Sequence, residues 1–394
     1  MPTTRREFLA TSMAATAGLA AVTLPVSLLS ARARAGGLKI LILGGTGFLG
    51  PACVDAAVAR GHTVTLFNRG RTEKRRGGLY PDIEKLYGNR DPEKIADETK
   101  DEAGNLKFPD SPKGLKALEG RKWDAVIDTS GYYPRIVKAS AELLAPNVGH
   151  YVYISSISAY KSKDKPGNDE NAAVGTMADP TVENMGANFE NYGPLKALCE
   201  QAAEAALPGR VANIRPGYIV GPGDPTDRFT YWPVTIAKGG DVLCPGAPSD
   251  PVQFIDVRDL GEWIVKVIED KTVGFFNACG PQPPATWGGL LDTCNRVSGG
   301  KANLVYADAE FLGSQGVQFP IWIPSSGETA GFHTWSIERA IKAGLKSRSI
   351  DDTVKATLEW WDKQTPERQA RMGQMVKPET VAAALAAWQA KNKK

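Results

Sequence analysis

An α/β protein built on a doubly wound parallel sheet is the fold class that this sequence predicts, and three observations predict it. An apolar strand, Ile40 to Leu43, runs into glycines at positions 44, 47 and 50 and then into a helical pattern through Ala52, Val54, Ala57 and Val58. Further short β-rich runs recur along the chain with longer connections between them, as parallel pairing requires. Roughly 360 residues remain once an N-terminal leader is set aside, more than one simple core holds, so a large domain and a smaller one are expected.

The chain opens with Thr4-Arg5-Arg6-Glu7-Phe8-Leu9. A mildly apolar run from Leu9 to Leu29 follows, rich in Ala, Thr and Ser and interrupted by Pro25, and Ala33-Arg34-Ala35 closes it as a small-x-small cleavage pattern. Paired arginines before a weakly hydrophobic core look like a twin-arginine signal peptide over residues 1–35, which carries a folded protein to the periplasm or the exterior. A retained anchor is the alternative, but the Ala/Thr content and Pro25 make a poor spanning helix. Stable membrane insertion after cleavage is therefore not expected. Arg5, Arg6, Arg32, Arg34 and Glu7 all lie in this leader, so the formal charge of +3 becomes zero without it. A neutral mature chain has no electrostatic footprint for nucleic acid.

The stretch from Leu38 to Gly50 has the strand–turn–helix order of a site where a parallel strand hands a pyrophosphate to a helix N-terminus. Gly44 would make the tight turn, Gly47 would let backbone N–H groups approach the phosphates, and Gly50 would let the helix pack on the sheet. Thr46, Phe48 and Leu49 complete this dinucleotide-binding turn. The second strand, Thr63 to Phe67, ends at Asn68-Arg69-Gly70-Arg71. Folds that hold NAD usually place an acid there for the ribose 2′-hydroxyl. Asn68 is uncharged and Arg69 and Arg71 follow, which tips the cofactor slightly from NAD towards NADP; solvated loop arginines are the alternative.

The third strand is Glu84 to Tyr87 and the fourth is Trp123 to Asp128, with the charged segment Asp91 to Gly120 between them as a surface insertion. Asp128 and Thr129, where the fourth strand ends, either face the nicotinamide ribose or cap a turn. The fifth strand, His150 to Ile154, runs into Ser155-Ser156-Ile157-Ser158-Ala159-Tyr160. Asn191-Tyr192-Gly193-Pro194-Leu195-Lys196 then leads to a helix from Ala197 to Ala206. Tyr192 and Lys196 stand at i, i+4, so on one helix face they point the same way. A lysine ammonium beside a phenol lowers the phenol's pKa and makes tyrosinate available as a base. Gly274 to Gly280 is a last strand and turn. Amphipathic helices follow at Trp287 to Val297, Ile350 to Trp361 and Val381 to Lys391, with Trp360, Trp361 and Trp388 as packing residues.

These motifs, in this order and across nearly all of residues 38–360, resemble the NAD-dependent epimerase/dehydratase family of the extended short-chain dehydrogenase/reductases, whose glycine spacing is also Gly-x-x-Gly-x-x-Gly. The resemblance implies an NAD(P)-binding Rossmann domain over residues 36–222, with 252–280 returning to it. It implies a smaller C-terminal α/β substrate domain over 223–251 and 281–350, and a helical tail over 351–394. It further implies that Ser156, four before Tyr160, hydrogen-bonds the reacting oxygen, with Tyr192 as the base and Lys196 on the nicotinamide ribose. The Arg215-Pro216…Gly221-Pro222 stretch matches one beside the nicotinamide, which places Pro216 at the cofactor. Several positions depart from the family pattern. Asn89 replaces the first acid of a Gly-Asp-x-x-Asp corner near the adenine, and Thr129-Ser130-Gly131-Tyr132 replaces His-x-Ala-Ala. The arginine that grips a nucleotide-sugar diphosphate falls on Val252, and Ile157 and Ser158 stand where sugar 4,6-dehydratases carry an acid pair. The last two departures argue against nucleotide-sugar substrates and against 4,6-dehydration.

Beyond the Gly-Pro step, Arg228, Tyr231 and Trp232 suit a sugar or other ring-shaped substrate, or alternatively pack between domains. The five cysteines are scattered and read as buried free thiols, and His62, His150 and His333 lack ligand-like spacing, so no metal is expected. The whole reads as an exported enzyme of carbohydrate-like small molecules. Free nicotinamide cofactor is scarce outside the cytoplasm, which favours a tightly bound NAD(P) regenerated each turnover, in epimerisation or oxidation-assisted elimination. The alternatives are a dinucleotide-binding module without turnover, or an RNA-binding one, because the chain also resembles plastid stem-loop RNA-binding proteins of the same fold. A homodimer through the helix after Tyr192 is common in the family.

Overall fold

The computed structural model describes residues 37–75, 79–374 and 376–392; the export signal expected in residues 1–35 lies outside them. Among the described residues a seven-stranded sheet comprises β1 (Lys39–Leu43), β2 (Thr63–Asn68), β3 (Glu84–Tyr87), β4 (Trp123–Asp128), β5 (Val148–Ile154), β6 (Val211–Pro216) and the strand Gly274–Ala278. Across the sheet the order runs from Gly274–Ala278 through β6, β5, β4, β1 and β2 to β3, and every neighbouring pair is parallel. The helices α1 (Leu49–Ala59), α2 (Arg71–Arg75), α3 (Pro134–Leu144) and α4 (Tyr192–Ala206) make connections between these strands.

Strand alternation explains how one sheet holds two cores. Ile40 and Ile42 of β1 point to the face covered by α1 and by the helix Val257–Glu269, whereas Leu41 and Leu43 point to the face covered by α3 and α4. All four are fully buried. Burial of each such side chain stabilises the fold by about 1.5–3 kcal/mol before ordering costs. Between β1 and β4 the chain leaves the sheet in opposite directions, and this reversal opens a crevice at the strands' carboxyl ends.

A separate apolar cluster gathers Phe229, Trp232, Leu243, Trp287, Val354 and Trp361. Beside it the strands Gly240–Pro245 and Ala302–Ala307 pair in parallel. Tyr231 and Trp232 belong to this core: Trp232 is fully buried, meets Trp287 edge-to-face at 4.8 Å and donates its indole N–H to the Pro320 carbonyl at 2.9 Å. The helices Ile350–Trp361 and Pro378–Asn392 pack on the same cluster, and Trp360, Trp361 and Trp388 serve as packing residues there. All five cysteines are free and buried. Among the described residues no helix is long and apolar enough to cross a membrane.

Candidate active site

A cavity of about 1120 Å³ lies over the carboxyl ends of the central strands and joins the glycine-rich turn to Tyr192 and Lys196. At its floor, Gly44 sits at φ +94°, a region that disfavours side chains, and a Cβ there would lie 2.7 Å from the Thr129 hydroxyl. A Cβ on Gly50 would lie 2.5 Å from the Gly45 carbonyl carbon, so its absence lets α1 close on the turn. Gly47 differs: a Cβ there would meet nothing nearer than 4.0 Å, and the space above it belongs to the cavity. No side chain caps the N-terminus of α1, and its first turn carries no acid. This open cradle before an uncapped helix N-terminus fits a dinucleotide pyrophosphate. Thr46, Phe48 and Leu49 line it, and Thr129, which also lines it, staples the turn by donating to the carbonyls of Leu43 and Gly44 at 3.0 and 3.1 Å.

At the end of β2 an acid is present that residue 68 does not supply. Gly70, at φ +79°, turns the chain so that α2 brings Glu73 back to the strand end. The Asn68 amide donates to Glu73 Oε1 at 2.9 Å, while Oε2, also buried, has no hydrogen-bond partner among the described residues. Arg69 is exposed at the cavity lip, and Arg71 lies 3.6 Å from Asp97. The signal for Glu73 in the sequence is an acid just beyond a strand-ending Asn-Arg-Gly turn.

Asp128 does not reach the cavity. It is fully buried, bound through both oxygens by Arg90 at 2.6 and 2.8 Å, and it accepts a hydrogen bond from the Tyr151 hydroxyl at 2.8 Å. Burial alone would raise its carboxyl, but Arg90, Tyr151 and the Ser130 N–H hold it below the usual carboxylate range. Asp128 thus takes the turn-capping alternative, accepting the Ser130 N–H at 3.1 Å, and is anchored there by Arg90. The same Arg90 belongs to the Gly88–Asp91 corner, which the ion pair ties to the end of β4. The Asp91–Gly120 segment is mostly exposed but pinned at its ends by buried Asp91, Asp97 and Leu118.

The Ser156, Tyr192 and Lys196 side chains converge. Helix α4 begins at Tyr192 and so carries Tyr192 and Lys196 on one face; Pro194 falls in its first turn, where a missing N–H costs nothing. A Cβ on Gly193 would lie 2.1 Å from the Ser158 carbonyl, so only glycine lets α4 reach the turn that carries Ser156. The Ser156 hydroxyl accepts the Ser158 N–H at 3.1 Å and acts on the neighbouring Tyr192 phenol to lower its pKa. Lys196 is buried and donates to the carbonyls of Ile154 and Gly131 at 2.6 and 2.9 Å. Burial lowers its ammonium to about 8, and the charge lies over the rings of Tyr153 and Tyr132 at 4.4 and 5.3 Å. The Tyr192 phenol is raised above its ordinary value by burial and by Tyr132, while Ser156 and Arg228 act the other way. Lys196 is thus engaged with carbonyls, and burial holds the Tyr192 phenol above its ordinary value in place of the lowering expected from the sequence.

The far end of the cavity is lined by Tyr132, Ile157, Pro216, Tyr218, Arg228 and Phe332. Arg228 therefore belongs to the site, whereas Tyr231 and Trp232 lie in the second core, where two large aromatic residues gain more from burial than from a water-filled cleft. Val252, too, is buried in that core. Tyr218, from the Arg215–Pro222 stretch, and Phe332, which no sequence motif includes, meet because the chain folds two distant segments against each other, with ring centroids 5.7 Å apart. Among the described residues no cluster of His, Cys, Asp and Glu has metal-binding geometry.

Residues 40–279 match the NAD dependent epimerase/dehydratase family. The chloroplast stem-loop binding protein of 41 kDa b from Arabidopsis thaliana is 27% identical over 270 residues, which cover 66% of this chain and 63% of that protein. A 2-alkyl-3-oxoalkanoate reductase from Stenotrophomonas maltophilia is 29% identical over 196 residues, 48% of this chain and 52% of the reductase. The chain thus spans less than two thirds of either curated relative. The crystal structure of UDP-glucuronic acid 4-epimerase from Bacillus cereus in complex with NAD shares the fold, with a TM-score of 0.53 at 15% identity over 82% of this chain and 98% of that one.

Proposed function

The chain belongs to the NAD dependent epimerase/dehydratase family, and from that membership we propose that it is an exported enzyme of a carbohydrate-like small molecule. In this reading it carries out epimerisation or oxidation-assisted elimination with a nicotinamide dinucleotide kept bound through each turnover. The observation that carries the reading is the meeting of Ser156, Tyr192 and Lys196 in the cavity whose floor is the open glycine cradle.

When bound, the nicotinamide supplies a hydride acceptor that can later return the hydride. This chain's residues handle the proton. Tyr192 takes the proton of the substrate hydroxyl, while Ser156, beside it in the cavity, fixes the same oxygen. Lys196 holds its ammonium close behind them and is the candidate donor to the ribose hydroxyls. The leader at Thr4–Ala35 supports export of the folded protein. For the cofactor, exposed Arg69 supports NADP, but buried Glu73 at the same strand end offers a carboxylate to a ribose hydroxyl and repels a 2′-phosphate. Glu73 shifts the preference read from Asn68 towards NAD.

The first experiment is denaturation of protein purified without added cofactor, followed by identification of the released nucleotide. Stoichiometric NAD or NADP is expected. Tyr192→Phe should retain that nucleotide and lose at least about a hundredfold in turnover, and a variant of unchanged activity would remove Tyr192 from the chemistry. The likeness to a stem-loop binding protein favours a second reading, RNA binding without turnover. Protein that binds neither cofactor but is retained on heparin at physiological salt would support it.

A further inference from the structure

The charged groups along the cavity are not spread evenly. Its lining carboxylates, Glu73, Asp91 and Asp97, all come from the segments following β2 and β3, at the end opposite Tyr218 and Phe332. Around Tyr192 the described lining holds Lys196 and Arg228 and no acid. Lys196 is taken up by two backbone carbonyls. Arg228 is different. Its Nε donates to the Thr226 hydroxyl at 2.8 Å and its guanidinium stacks on the Tyr218 ring at 5.0 Å, but it makes no ion pair among the described residues.

Neither neighbouring acid forms an ion pair with Arg228 among the described residues. Asp227 is bound through both oxygens by Arg368, at 2.6 and 2.7 Å. Asp224 is buried and accepts from the Thr226 backbone and hydroxyl at 2.9 and 2.6 Å through Oδ1; its Oδ2 has no hydrogen-bond partner among the described residues, and it feels the Arg228 charge without forming an ion pair with it. The Thr226 bond and the Tyr218 ring fix the guanidinium plane and leave its two terminal nitrogens without a hydrogen-bond partner among the described residues. A pre-oriented pair of donors on one fixed plane matches a planar carboxylate. An unpaired cation beside aromatic walls is also where an incoming anion gains most, because the partner need not first be released from a protein carboxylate.

We propose that Arg228 is the anchor for a carboxylate on the substrate, so that the enzyme takes a polyhydroxylated carboxylic acid, a sugar acid or related hydroxy acid, in place of a neutral sugar or a nucleotide sugar. This rests on the functional reading given above. One free guanidinium balances one carboxylate, whereas the diphosphate of a nucleotide sugar carries more charge than Arg228 alone offsets. Val252, buried in the second core, offers that diphosphate nothing.

The test is calorimetric titration of the full chain loaded with NAD. The probes are D-glucuronate, D-gluconate, D-glucose, D-glucose 6-phosphate and UDP-glucose. At least one of the two acids should bind about tenfold or more tighter than D-glucose, the difference that one charge-assisted contact of about 1.4 kcal/mol makes. Arg228→Gln should abolish that preference with NAD affinity unchanged, and Arg228→Lys should keep part of it. Neutral glucose binding as well as the acids, no detectable binding of either acid, or a preference that survives Arg228→Gln would each overturn the proposal. So would tighter binding of glucose 6-phosphate or UDP-glucose than of both acids. Failure of the underlying reading looks different, because NAD itself would then not bind before any sugar is added.

Discussion

Glu73 shows what a single residue decides at this site. Position 68, the usual place for the acid that meets the ribose, holds an asparagine, and its amide is directed onto the Glu73 carboxylate. The acid has in effect moved five positions along the chain. Glu73→Gln removes the charge and keeps an acceptor for Asn68, so NADP should gain on NAD by about tenfold, read from the two dissociation constants. A ratio that does not move would show that Arg69 and not Glu73 sets the choice. Tyr192 and Lys196 were legible from their i, i+4 spacing, and Ser156 from the resemblance to the family. What their spacing does not convey is electrostatic. Lys196 gives two of its three N–H donors to carbonyls, and Asp128 is bound by Arg90, a residue 38 positions earlier that no local pattern links to it.

At the scale of elements, the β1–α1 turn separates two jobs that glycines do in one motif. Gly50 serves packing, since a Cβ would press on the Gly45 backbone, whereas Gly47 leaves room for a ligand. Gly50→Ala should lower stability by about 1–3 kcal/mol through overpacking, measured by urea unfolding. Gly47→Val should leave the unfolding midpoint close to wild type yet lose nucleotide binding. If both variants lost stability alike, the empty space above Gly47 would not be the phosphate site. The helix Tyr231–Ala237 marks a limit of local reading. Its aromatic residues look equally suited to stacking a ring or filling a core, and only the arrival of Trp287 and Phe319 from distant segments buries them.

At the scale of the whole molecule, His333 joins segments far apart in the chain. Its Nδ1 accepts the Gln253 N–H at 3.0 Å and its other nitrogen lies 3.0 Å from the Ile321 carbonyl. Burial lowers its pKa from 6.5 to about 4, against the opposing pull of those contacts. The unfolded chain therefore binds this proton first as pH falls from about 6.5. Stability from the neutral imidazole is complete above that pH and is lost towards pH 4, by up to about 3 kcal/mol. His333→Gln should flatten that part of the urea-midpoint profile, and an unchanged slope would assign it to the carboxylates. The sequence by itself determined the succession of strand segments along the chain, the glycine cradle and the Tyr192–Lys196 helix face, because each follows from local periodicity or short spacing. Only the tertiary structure decided that Glu73 returns to the strand end, that Asp128 is an anchor, that Tyr231 and Trp232 are core, and that Arg228 stands unpaired among the described residues. Those outcomes depend on which distant charges and rings the fold brings within a few ångströms, and burial and Coulomb energy at such distances leave no trace in linear spacing.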